Sequence, residues 1–227
     1  MYFGTLITPK PPIKEYSHLA EVTQLKIYSC YSLCWGTEVQ MRMDVNNLLV
    51  YHCAPTMAGL KMASLVCLPM TEDESIHQDM VAHYNHQFNR KGLYFRTLCS
   101  CRGRHLLYLY RKEQVDHYLE QSDVQAFLKT CGYTSLEDWD SVLSCLSFRL
   151  RSSENFPHEI GVFLGYPLED VKSFVKEQGA NAKLCGEWKV YHDVEFAACE
   201  FARYACCRKQ YMTLYNQGYA MEYLVIA

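Results

Sequence analysis

The chain has no long run of like charge. Its 22 Lys and Arg stand against 25 Asp and Glu, for a net charge of −3. Basic residues never run beyond pairs such as Arg90–Lys91 and Arg208–Lys209. That excludes the basic footprint of a nucleic-acid or anionic-membrane binder. No apolar stretch approaches the roughly 18 residues a membrane helix needs, so no membrane insertion is expected. The N-terminal segment has no basic region followed by an apolar one, so no signal peptide is read there. The expected compartment is the cytoplasm, where thiols stay reduced. The twelve cysteines then read as free thiols, mostly used as small buried hydrophobes.

Signature motifs are missing too. There is no G-x-G-x-x-G, no Walker loop and no G-x-S-x-G elbow, which excludes the common dinucleotide, nucleotide and hydrolase sites. There is no C-x-x-C. His158-Glu159 opens like H-E-x-x-H, but Val162 stands where the second histidine is required. Cys30/Cys34 and Cys99/Cys101 each lack a matching second pair, so no metal is assigned and the cofactor is left unknown. Cys99 and Cys101 share a strand face by spacing.

What remains is an ordinary globular composition, 49% hydrophobic and 21% charged, in a chain long enough for one well-filled core. Residues 1–42 carry Pro9, Pro11 and Pro12 and no sustained period. They read as an N-terminal extension, poorly ordered or lying before the natural start at Met43, with a docked helix around Ala20–Tyr31 as the alternative. Residues 43–227 read as one α+β domain, helix-rich, with a small antiparallel sheet. The sheet is expected from a hairpin over about 93–111 and strands near 60–68 and 187–192.

Helical signals fill the rest. Asp44 caps a first helix, which is expected to stop before Pro55 because the residue before proline avoids the α region. Ile76, Met80, Tyr84 and Phe88 at spacing four predict a second helix over 74–90. Short helices follow over 114–120 and 123–130. Thr134 and Glu137 form a capping box for a helix carrying Leu136, Trp139, Leu143, Leu146 and Leu150. Pro157 and Pro167 stand where N1 prolines start helices, and Asp193 caps a long helix to about Asn216.

Two segments hold chemistry. The first, HCAPTMAGLK over 52–61, sets Cys53 beside His52 and near Lys61, the positive charge that favours a thiolate. In the second, NFPHEIGVFLGYP over 155–167, only His158 and Glu159 ionise, amid apolar residues and glycine. A buried Glu159 therefore needs a partner or a raised pKa.

HCAPTMAGLK, FPHEIGVFLGYPLEDV and GEWKVY, in that order, resemble the signature of domain-of-unknown-function family 3793, a bacterial family common in anaerobic Gram-positive species. The resemblance runs from about Met43 to the C-terminus and implies no established activity. The positions it carries over are His52, Cys53, Thr56, Lys61, His158, Glu159, Tyr166, Trp188 and Lys189.

Three readings follow. In the first, thiol chemistry occurs at a cleft where Cys53 is nucleophile, His158 base and Glu159 its orienting or second acid–base group, with a lowered Cys53 pKa. His52, Thr56, Lys61, Tyr166, Trp188 and Lys189 then bind the substrate. That reading expects the Cys53 sulfur and the His158 ring to lie within about 8 Å, because buried charges compensate one another. The second is an accessory protein that holds a metal or redox cofactor between the two motifs and has a small molecule or a redox protein as partner. In the third the motifs are packing and the protein is a non-enzymatic interaction module.

Overall fold

Tyr-, Phe- and Leu-rich sequence on either side of Gly103 forms the central hairpin, strands β2 (Leu93–Cys101) and β3 (Arg104–Arg111). Gly103 takes a left-handed φ of 76° at the turn, where a side chain would be strained. Strand β1 (Ala63–Pro69) pairs antiparallel with the other edge of β3, giving the order β1-β3-β2. The computed structural model describes residues 44–227 except 71–72, 102, 137 and 153–155. The extension expected over 1–42, the pair Cys30/Cys34 and Glu137 lie outside the described residues.

Helices cover both faces of the sheet. Helix α1 (Val45–Met57) and α2 (Glu74–Phe88) lie on one face with Val66, Leu68, Phe95, Leu107 and Leu109. Helices α3 (Lys112–Leu119), α4 (Ser122–Thr130), α5 (Trp139–Ser152), α6 (Ile160–Phe163) and α7 (Leu168–Lys176) gather on the other. Their core there includes Ala63, Leu98, Tyr108 and Tyr110. Strand alternation explains the division, since adjacent residues of β3 point to opposite sides. Strands β4 (Leu184–Cys185) and β5 (Lys189–Val190) form a separate two-stranded hairpin rather than joining the main sheet. Helix α8 (Val194–Asn216) packs along α1, and α9 (Met221–Leu224) returns to the core of α1 and α2. The expected α+β domain with a small antiparallel sheet is thus observed.

Three local expectations are corrected. Helix α1 does not stop before Pro55 but runs through it to Met57. A proline inside a helix deprives the carbonyl four residues earlier of its donor. Here that carbonyl, on Tyr51, accepts a hydrogen bond from Arg208 Nε of α8 at 2.9 Å. Tertiary structure supplies what the helix lacks. In α2 the buried stripe is His77, Tyr84 and Phe88, while Ile76 is 57% exposed. Helix α5 starts at Trp139 with Asp138 before it, whose carboxylate accepts from the backbone N–H groups of Asp140 and Ser141. Asp138 does the work expected of the Thr134 capping box.

Candidate functional site: an aromatic cleft

The Gly165-Tyr166-Pro167 turn leads into α7. Gly165 has φ 73°, and a Cβ there would lie 3.0 Å from the Cβ of Met62. Glycine therefore lets the turn press onto the segment entering β1 and fixes Tyr166 beside it. Tyr118 of α3 donates from its hydroxyl to the Tyr166 carbonyl at 3.1 Å. The Tyr166 ring stacks on Trp188, with centroids 5.4 Å apart and planes at 29°. Phe201 of α8 meets the Trp188 ring edge-on at 4.6 Å. A side chain at Gly186 would collide with that Phe201 ring, so glycine allows the β4–β5 hairpin to sit flush on α8.

Trp188 is 4% exposed, and a buried indole N–H needs an acceptor. Asp170 provides it: Trp188 Nε1 donates to its Oδ2 at 2.8 Å. Asp170 Oδ1 accepts from the backbone N–H groups of Tyr191 and His192 at 2.9 and 3.1 Å. Three donors thus satisfy a buried carboxylate and lock the indole to α7.

Between these elements and the N-terminal part of α8 lies a cleft of about 420 Å³. Tyr118, Tyr166, Trp188 and Tyr204 line it, with the carboxylates of Glu200 and Asp123. Burial, then the neighbouring Glu200 charge and its hydrogen bond, raises the Tyr204 pKa well above the tyrosine range. Its hydroxyl therefore stays protonated. Glu200 also pairs with Arg203 at 2.9 Å. Burial and the Asp123 carboxylate push Tyr118 up to about 12. Lys61 Nζ stands 5.3 Å from the centroid of the Tyr166 ring, a cation held over an aromatic face. Tyr166 thus links three separated motifs, with Lys61 over its ring and Trp188 stacked on it.

The other expected site residues lie elsewhere. Cys53 is fully buried among the residues of α1 and α2. Burial, only partly opposed by Lys61, a hydrogen bond with Ser64 and Arg208, pushes its thiol up to about 12. The expected low pKa is therefore corrected: desolvation outweighs the positive charge nearby. Thr56 Oγ1 shares a 2.8 Å hydrogen bond with Ser64 Oγ, and its carbonyl accepts from Arg111 Nε. His52 is half-buried beside Tyr51.

His158 and Glu159 belong to the opposite side of the sheet. His158 is exposed and meets Phe174 edge-on at 5.1 Å. Glu159 is 5% exposed and accepts from Arg149 Nε at 2.6 Å and from the Tyr133 hydroxyl at 3.2 Å. Lys189 Nζ donates to the Gly179 carbonyl at 2.6 Å beyond the end of α7. The structure does not bring Cys53 and His158 together. The sheet stands between their surroundings because α1 packs on one face and α6 on the other.

Sequence reasoning missed Asp170, Tyr204, Glu200 and Tyr118. Asp170 reads in sequence as a first-turn carboxylate facing the helix dipole. The signal for its true partner was Trp188, whose indole needs an acceptor once buried. Among the described residues, no group of three His, Cys, Asp or Glu side chains is placed to hold a metal ion. None of their helices is long and apolar enough to cross a membrane.

A family model described as a protein of unknown function, DUF3793, matches residues 49–225. No curated protein and no solved structure matches the chain.

Proposed function

The chain belongs to the DUF3793 family, and for this member we propose a binding rather than a catalytic role, with the aromatic cleft taking a small organic cation that has a flat apolar body. The observation that supports it is the convergence of Tyr118, Tyr166, Trp188 and Tyr204 on one cleft that also holds Glu200 and Asp123. Aromatic faces attract cations through their quadrupole, by about 2 kcal/mol when the contact is desolvated. A carboxylate adds charge complementarity, and the rings provide apolar area at low conformational cost. Lys61 over Tyr166 is an internal example of the contact proposed for the ligand.

Thiol catalysis at Cys53 finds no such support. Its sulfur is fully buried, its thiol is held protonated, and Glu159 is engaged by Arg149 and Tyr133.

Calorimetry with benzyltrimethylammonium, benzylamine and neutral benzyl alcohol tests the reading. Both cations are expected to bind one per chain, and the alcohol at least about tenfold more weakly. Glu200→Gln is expected to weaken the cations about tenfold, the loss of one charge-assisted contact, and to leave the alcohol unchanged. Equal binding of the alcohol, or cation binding unaffected by Glu200→Gln, contradicts it.

A further inference from the structure

At the far end of the hairpin from this cleft, β2 ends in Cys99-Ser100-Cys101. A register shift between Thr97 and Cys99 resets the strand alternation. After it, Cys99 stands opposite Leu106, Ser100 opposite His105 and Cys101 opposite Arg104. Residues two apart on a strand share a face, and the two thiols meet with their Sγ atoms 2.7 Å apart. Ser100 turns the other way, and its hydroxyl shares a 2.8 Å hydrogen bond with His105 Nδ1. His105 is itself stacked on His77, with ring centroids 3.6 Å apart. The middle residue is thus anchored on one face, and both cysteines are kept on the other. The two differ in access: Cys101 is exposed and Cys99 buried.

We propose that Cys99 and Cys101 form a dithiol site that reacts with low-molecular-weight disulfides. This is independent of the cleft. The exposed Cys101, as thiolate, attacks one sulfur of the external disulfide and releases its first thiol, leaving a mixed disulfide on Cys101. Cys99, as thiolate, then attacks the Cys101 sulfur. The Sγ–Sγ bond forms, the mixed bond breaks, and the second thiol leaves. Two protein thiols are oxidised to one disulfide and one external disulfide is reduced to two thiols. The two protons given up by Cys99 and Cys101 end on the released thiols. Access selects Cys101 as the attacking sulfur, and proximity makes Cys99 the resolving one. Cys53, fully buried, lacks the access this requires.

Glutathione disulfide is the probe, applied to the native full-length chain, followed by acid quench, alkylation and tryptic peptide mass. Arg96 and Arg102 place both cysteines in one tryptic peptide, 97–102. In the wild type this peptide is expected unalkylated and two hydrogens lighter, and dithiothreitol is expected to restore it. In Cys99→Ser it is expected to carry one glutathione on Cys101. In Cys101→Ser, Cys99 is expected to remain alkylatable after unfolding, without glutathione. Persistence of glutathione on Cys101 in the wild type overturns the proposal. So does a wild-type peptide in which both thiols remain alkylatable after excess glutathione disulfide. These wild-type outcomes decide the matter even if a variant fails to fold.

Discussion

Glu159 shows what a single residue reveals and conceals. Its apolar setting in the sequence demands a partner, and the structure supplies Arg149 and Tyr133. Burial and the Glu159 charge raise the Tyr133 pKa beyond the usual tyrosine range, so its hydroxyl remains a donor. Arg149→Met is expected to strip the buried carboxylate of its partly exposed cation and cost about 2 kcal/mol, less than breaking a fully buried pair. Tyr133→Phe is expected to cost about 1 kcal/mol, one neutral donor. Urea denaturation reads both, and equal costs contradict the ranking. The need for a partner was legible in the sequence. Its identity was not, because Arg149 reaches Glu159 from a separate helix across the α5–α6 connection.

The paired histidines, by contrast, were hidden: Ile76 outranks His77 in any apolar pattern, yet His77 is the buried one. Burial lowers both His77 and His105, the charge on His105 lowers His77 further, and Glu74 pulls each partly back up. Folded imidazoles with lowered pKa values bind protons less readily than unfolded ones. Their neutral-state stability is therefore full above the unfolded value of about 6.5 and is lost as pH falls below it. The melting temperature is expected to drop between about pH 7 and pH 5, the range histidine titrates. The drop should be smaller in His77→Gln/His105→Gln. An identical drop in that variant contradicts the assignment.

Among the elements, the hairpin and the long C-terminal helix were the most legible. The hairpin has Tyr-, Phe- and Leu-rich strands on either side of a glycine turn, and α8 has a capping Asp193 that accepts from Phe196 N–H. The end of α1 was misread because proline is a local signal and its remedy is tertiary. Arg208 fills the acceptor that Pro55 leaves empty on Tyr51, and its other arm binds Glu187 Oε1 at 3.0 Å. One guanidinium thus joins the HCAPTMAGLK helix to the GEWKVY hairpin. Arg208→Ala is expected to cost about 1–2 kcal/mol by orphaning the carbonyl. In a Pro55→Ala background the restored N–H bonds Tyr51 instead, and the cost of Arg208→Ala is expected to fall by about 1 kcal/mol, a coupling typical of neighbours. A double-mutant cycle measured by urea denaturation checks this, and strict additivity contradicts it.

At the scale of the whole molecule, the family motifs are distributed across both faces of a thin sheet. HCAPTMAGLK contributes Cys53 to one core and Lys61 to the ring of Tyr166. FPHEIGVFLGYPLEDV contributes Glu159 to an internal ion pair, Tyr166 to the cleft and Asp170 to the support of Trp188. That partition was not legible in the sequence. Which face a helix covers depends on strand order and crossover, and neither is written in the local pattern. What the separated motifs do share is the cleft at Tyr166 and Trp188. The most direct measurement is the indole N–H resonance of Trp188, assigned through Trp188→Phe, during titration with benzyltrimethylammonium. The Trp188 signal is expected to shift saturably while that of Trp139, which does not line the cleft, stays fixed, and Glu200→Gln is expected to weaken the response about tenfold. A Trp188 signal that does not move, or one that moves equally with benzyl alcohol, contradicts a cation-binding cleft.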